Sequence, residues 1–330
     1  MKRNAYAAFL VAFFVPAFLN FCGCQNEYIR IVSLASSSDG TKIAAAEYAG
    51  YIYTSTDSGA TWVAQLQPGP RYYSSIASSA DGTKLAATAA YSFVITSTNS
   101  GVTWTNQTAA GVRLWSSIAS SSDGTRLSAV EYGTNIFASA DSGATWVAQT
   151  SAGPQYWEQI ISSADGTALS AIYSGESLGL GYIYSTIDSG VTWTPQIAAG
   201  NKPWASIASS ADGTMLAAAS GGNGLTADFI YTSTNGGSTW TQQTGSGSNF
   251  WGAIASSADG TKLVALPDNG FILTSSDSGV TWTTQKGSTN TQWQSIVTSA
   301  DGTTLAATDI YGNLYTSADS GVTWVKRLVL

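Results

Sequence analysis

The chain has no histidine among its 330 residues, only two cysteines and two methionines, and just 10% charged side chains. Without histidine, the commonest general base and the commonest metal ligand are missing. Cys22 and Cys24 lie together near the N-terminus, so the rest of the chain has no disulfide framework, cysteine nucleophile or Cys/His metal set. No metal and no cofactor is expected. The formal charge of −7 argues against a nucleic-acid partner, which needs clustered Lys and Arg. Ser, Thr, Gly, Asn and Gln must then dominate the surface, which suits a protein outside the cytoplasm.

The N-terminus points the same way. Lys2 and Arg3 precede an apolar run from Ala5 to Phe18, and small residues follow near Gly23. This reads as a signal peptide over residues 1–24. It is short for a bilayer span of about 20 apolar residues. Phe21-Cys22-Gly23-Cys24 is similar to a bacterial lipobox, with Cys24 as the lipidated residue; cleavage nearby without a lipid is the alternative. The expected location is secreted or cell-envelope, with membrane contact only through such an anchor.

From residue 25 onward the chain is repetitive. An S-x-D-x-G-x-T-W tail recurs with its last residue at Trp62, Trp104, Trp146, Trp193, Trp240, Trp282 and Trp324, at spacings of 42, 42, 47, 47, 42 and 42. Asp-Gly-Thr keeps step, at Asp39, Asp81, Asp123, Asp165, Asp212, Asp259 and Asp301. Such a period means one supersecondary unit stacked on copies of itself.

The third copy reads as four strands. Trp115 to Ser121 alternates large and small, and Asp123-Gly124 is a hairpin turn. Leu127 to Glu131 is a second strand, Tyr132-Gly133-Thr134 a loop, and Asn135 to Ser139 a third strand. Trp146 to Thr150 is the fourth, and nothing reads as a helix. Four antiparallel strands repeated seven times predict an all-β, seven-bladed β-propeller over residues 25–330. A β-solenoid is the alternative. A monomer is expected.

Ser55-Thr56-Asp57-Ser58-Gly59-Ala60-Thr61-Trp62 resembles the Asp-box, or BNR repeat. That motif is known from sialidases, sortilin-type receptors, xyloglucanases and photosystem II assembly factors. The resemblance implies a propeller whose boxes join the third and fourth strands of each blade, away from any active site. The boxes are expected to be structural: Asp57, Asn99, Asp141, Asp188, Asn235, Asp277 and Asp319 bind their own turns, and the seven tryptophans pack between blades. Asn at two copies argues for turn stabilisation without charge. In the fourth copy Ile187 reads as an extra residue that puts Thr186 in the serine place.

Strand order puts the Asp-Gly turns and boxes on one face. The other, variable face carries two insertions, Ser174–Gly181 and Gly221–Asp228. It also carries Asp228, Asp268, Asp309, Glu47, Glu131, Glu158 and Glu176. Glu47 and Asp309 hold equivalent places in the first and seventh copies; they and Glu131 are the candidate catalytic acids, since glycoside hydrolysis needs two carboxylates. Two solvated loop acids is the plainer alternative. Arg71, Arg113, Tyr72, Tyr156, Glu176, Asp228 and Phe250 are the candidate ligand-binding residues. Tyr73, Trp115, Trp157, Trp204, Trp251 and Trp293 recur at the entry to strand one; exposed, they would suit stacking on sugars, and their regular recurrence favours inter-blade core. The sialidase arginine triad lacks a third member beside Arg71 and Arg113 unless Arg30 reaches, and no Arg-Ile-Pro signature is present.

The expected function is an exported, non-catalytic binding protein recognising a protein or glycan on its variable face. A sialidase-like or xyloglucanase-like glycoside hydrolase and a photosystem II assembly factor-like protein are the alternatives.

Overall fold

The computed structural model describes residues 29–175, 179–222 and 226–327. The first unit has strands β1 (Ile31–Ser36), β2 (Ile43–Gly50), β3 (Ile52–Ser55) and β4 (Val63–Gln65). They pair antiparallel in chain order, and the same four-strand pattern recurs down the chain. The architecture is all-β, as expected. Four short 3-10 turns were not foreseen: Thr108–Ala110, Thr150–Ala152, Ile197–Ala199 and Thr244–Ser246. Each follows an outer strand and is closed by a glycine N–H bonded back to the turn's first carbonyl, an arrangement too short for a periodicity signal.

Every inner strand carries a β-bulge one residue after its buried large side chain. In β1 it falls between Ile31 and Ser33, which leaves Val32 unpaired. The same shift occurs at Ser74, Ser116, Glu158, Ala205, Gly252 and Gln294. A bulge bends the strand and re-aims its side chain.

The supposed loop Tyr132-Gly133-Thr134 is strand. The second strand of the third unit runs Leu127–Thr134, and its end pairs with the next unit through Tyr132↔Tyr156 and Thr134↔Gln155. Equivalent pairs, Tyr48↔Tyr72 and Ala90↔Leu114, join units one to two and two to three. Units one to four thereby form one 16-stranded sheet, while the last three are separate four-stranded sheets. Single bridges at Gly181↔Lys202, Asp228↔Asn249 and Gly270↔Thr291 take the place of these pairs further along.

The core lies between units. Each hydrophobic cluster draws on two consecutive units, and the one holding Ile31, Leu34, Ile43 and Trp62 also holds Ala306 and Leu314 of the last unit. Alanines such as Ala44, Ala45 and Ala46 let neighbouring sheets approach closely. A chain of backbone bonds at the Asp-Gly turns runs from Ser38 through Ala80, Ser122, Ala164, Ala211, Ala258 and Ala300, and the Ala300 N–H donates back to Ser38 at 2.7 Å.

Candidate functional site

The two repeated turns lie together. The box residue Ser58 donates its N–H to Thr41 of the Asp-Gly-Thr turn at 2.9 Å, and each later unit repeats this contact. Asp57 accepts from the Ser55 hydroxyl, the Thr61 N–H and the Thr61 hydroxyl at 2.8, 2.8 and 2.6 Å. Those donors, the Thr61 hydroxyl first, hold its pKa down at about 2. Asn99 keeps the amide bond from Thr103 and donates its own Nδ2 to the Thr103 hydroxyl, which reverses one bond without moving the turn. Thr186 plays the serine part in the fourth box, accepting from Gly190 N–H and donating to Asp188. Ile187 is not an extra residue; it fills the variable place held by Thr56 in the first box, and the longer spacing arises from the loop before it.

The indoles of Trp62, Trp104, Trp146, Trp282 and Trp324 donate to the carbonyl of their own box glycine. All seven box tryptophans pack against clusters shared by two units. The sequence missed one feature: the residue before the glycine is also left-handed, as at Ser58, Ser142 and Ser320, although it is not glycine. Among the described residues no group of three His, Cys, Asp or Glu side chains is placed to hold a metal. A cleft of about 180 Å³ lies on this face between units six and seven, lined by Lys262, Thr274, Thr281 and Thr298. The same seam at three other junctions holds only about 10–20 Å³, so it is a product of stacking rather than a built site.

On the variable face each candidate acid has partners of its own. Glu47 folds back over Gly50 and accepts from the Tyr51 N–H and the Tyr53 hydroxyl, both at 3.0 Å. Asp309 is buried and accepts from Tyr311 N–H, Asn313 N–H, Asn313 Nδ2 and the Tyr315 hydroxyl. Each therefore serves its own loop, and the two share no partner. Glu131 pairs with Arg113 at 2.9 Å, and Arg113 lies 4.3 Å over the Phe137 ring. Arg71 is spent on Ser92 and Asn106. Arg71 binds within the second unit, and Arg113 also donates its Nε–H to the Ala110 carbonyl in the turn that follows that unit. Arg30 reaches Gln294 instead.

Asp228 pairs with Lys202 at 3.0 Å and accepts from Tyr231. Burial pushes its carboxyl up, but the Lys202 ammonium and the Phe229 N–H outweigh that and leave it below its usual value. Glu176 and Cys24 lie outside the described residues. The six regular aromatics at the strand-one entry are core, at 0–2% exposure. Tyr72 is exposed, while Tyr156 and Phe250 are partly so. Tyr91 and Tyr311 join Tyr72 as exposed rings. Sequence reasoning passed over both, although they hold the same place in their repeats, ten residues after Asp81 and Asp301.

Glu158 was placed on this face without a role. It is a bulge residue, partly buried, and burial raises its pKa against the lowering effect of the Ser174 hydroxyl. Beside it the Tyr132 and Tyr156 rings pair at 5.1 Å.

No family model matches the sequence, and no curated protein matches it either. Solved structures do. One is a GH74 enzyme from Niastella koreensis, with a TM-score of 0.54 and 18% identity over 90% of this chain and 65% of that one. Another is an ancestral GH74 enzyme, at TM-score 0.69 and 14% identity over 90% of this chain and 46% of that one. The chain thus spans less than two thirds of the length of these enzymes. A third is YCF48 bound to a D1 peptide, at TM-score 0.50 and 15% identity over 91% of this chain and 82% of that one. At such identities the likeness concerns the fold, and the chain has the β-propeller fold found in GH74 enzymes and YCF48.

Proposed function

We propose that this is a closed seven-bladed propeller, exported from the cytoplasm, that binds a protein or glycan on its variable face without catalysis. Closure is supported by the Ala300–Ser38 bond and by the core cluster shared between the first and last units. A solenoid would leave those units apart. The observation that carries the binding reading is the commitment of Glu47 and Asp309 to their own loops. A glycosidase needs two carboxylates about 5–10 Å apart across one bond. What the variable face offers instead is exposed rings, at Tyr72 and Tyr91 near strand ends and at Tyr311 in the turn between two strands.

The hydrolytic reading rests on fold likeness to the GH74 enzymes, and the protein-partner reading on fold likeness to a peptide-bound protein. One experiment separates them. The purified chain is screened against a glycan array, a pull-down from its own source and a panel of glycosidase substrates. Binding without turnover, lost in a Tyr72→Ser/Tyr311→Ser variant, is the expected outcome. Turnover that disappears in Glu47→Gln or Asp309→Asn would replace binding with hydrolysis.

A further inference from the structure

The first and third units carry the same pair of tyrosines in different electrostatic settings. At the first junction Tyr48 and Tyr72 stand 5.5 Å apart, and the Arg30 guanidinium lies 5.6 Å over the Tyr48 ring. At the third junction Tyr132 and Tyr156 form the equivalent pair at 5.1 Å. The place of Arg30 in that repeat is taken by Leu114, so the cation is gone. The bulge residue that follows is Ser74 at the first junction and Glu158 at the third. Relative to the first junction, a cation has been removed from the tyrosine pair and a carboxyl group added two residues beyond its second member.

Among the described residues Glu158 has no ion-pair partner and takes a hydrogen bond from the Ser174 hydroxyl. The two ion pairs among the described residues are Arg113–Glu131 and Lys202–Asp228, and neither includes Glu158. Glu158 lies two residues beyond Tyr156 on the strand that pairs with Tyr132, and burial, with a smaller contribution from Glu158, raises the Tyr132 phenol's pKa. The next two bulge residues around the ring are Ala205 and Gly252, which take up little space. A Cβ built on Gly252 would meet nothing nearer than 3.8 Å. A partly buried carboxylate beside an aromatic pair has the chemistry of a receptor for an alkylammonium group, combining a charge-assisted hydrogen bond with attraction to the ring faces.

We propose that Glu158, Tyr132 and Tyr156 form a seat for a protonated primary amine, and that a lysine side chain of a protein partner occupies it. This rests on the reading that partners bind the variable face. Arg30 over Tyr48 is the internal version of the same contact, made by the chain with itself.

The test uses Nα-acetyl-lysine amide as the probe and its Nε-acetyl derivative as the control, titrated into the full chain and followed by NMR. Saturable binding of the first and none of the second is expected. Glu158→Gln, which keeps the shape, should weaken the probe by about tenfold or more. Leu114→Arg should also abolish binding, because it places a cation over Tyr132 as Arg30 sits over Tyr48. Unchanged thermal melting shows that both variants fold. Equal binding of the Nε-acetyl derivative, unchanged affinity in Glu158→Gln, or no saturable binding to the wild type would overturn the proposal. If the probe fails while a partner is still captured and then lost in Tyr72→Ser/Tyr311→Ser, the amine seat falls and the variable-face reading stands. Capture that survives both that variant and Glu158→Gln overturns both.

Discussion

At the scale of the residue, the box is a self-contained device. Its carboxylate gathers donors from its own turn, its glycine takes the left-handed turn, and its indole fills the seam between units. Trp62 is only 6% exposed, so Trp62→Ala should cost about 3–5 kcal/mol, read as a fall in chemical-denaturation midpoint. Asp141→Asn should leave the melting temperature nearly unchanged, because Asn99 and Asn235 already close the same turn. The aspartates of the turns and boxes also set the acid limit. Hydroxyl and backbone donors hold Asp57, Asp81, Asp123, Asp188, Asp259 and Asp301 at about 2, below the ordinary 3.8. A carboxylate depressed in the folded state stabilises it fully above its unfolded pKa. That stability is lost as the pH falls through the folded value. Melting temperature should therefore be flat down to about pH 4 and then fall steadily towards pH 2. A plateau persisting to pH 2 would show that these bonds contribute little.

At the scale of the element, neighbouring units are joined by a repeated side-chain bond. Ser33, Ser75, Ser117 and Ser206 accept the N–H of an isoleucine in the next inner strand, and Gln159 does so with its amide oxygen. In the sixth unit the place is Ala253, which offers no acceptor to Ile296. Ala253→Ser should supply it and raise stability by about 0.5–1.5 kcal/mol, measured by calorimetry. The opposite effect is expected at Gly312. Its φ is +80°, and a Cβ there would sit 1.5 Å from the Ile29 carbonyl, where the start of the first unit passes the last. Gly312→Ala should destabilise by about 1–3 kcal/mol through strain in that one loop. A neutral result would mean that this end of the chain is free to move aside.

At the scale of the whole molecule, each unit buries its faces only against the next. Removing residues 293–327 would expose the apolar surfaces of the sixth and first units together and cut the hydrogen-bond circuit. Such a chain should lose the single cooperative transition expected of the full ring and should aggregate. A truncated chain that melts like the parent would argue for an open stack. The two faces of the molecule divide their tasks. One is made uniform by repeated turns that consume their own polar groups. The other joins its units by different devices at different junctions, and it is where surface aromatics and Glu158 lie.

The sequence alone determined the repeat length, the two turns on one face, the four-strand unit and the aromatic at six of the seven inner strands. These are short-range matters, settled by residues a few places apart and shown seven times over. The second strand was read as ending at Glu131 because Tyr132-Gly133-Thr134 has loop composition; pairing with Tyr156 of the next unit made it strand. Likewise Glu47 and Asp309 looked like a pair because they hold equivalent positions in neighbouring units. Only the tertiary structure decided that each is captured by a local tyrosine and by backbone donors. Glu158 drew no role because a bulge has no sequence signature, and its meaning depends on Tyr132 in the unit before it. Where strands of neighbouring units pair, the setting of a side chain is decided across the seam, as Tyr132 and Tyr156 show, and no local pattern reaches that far.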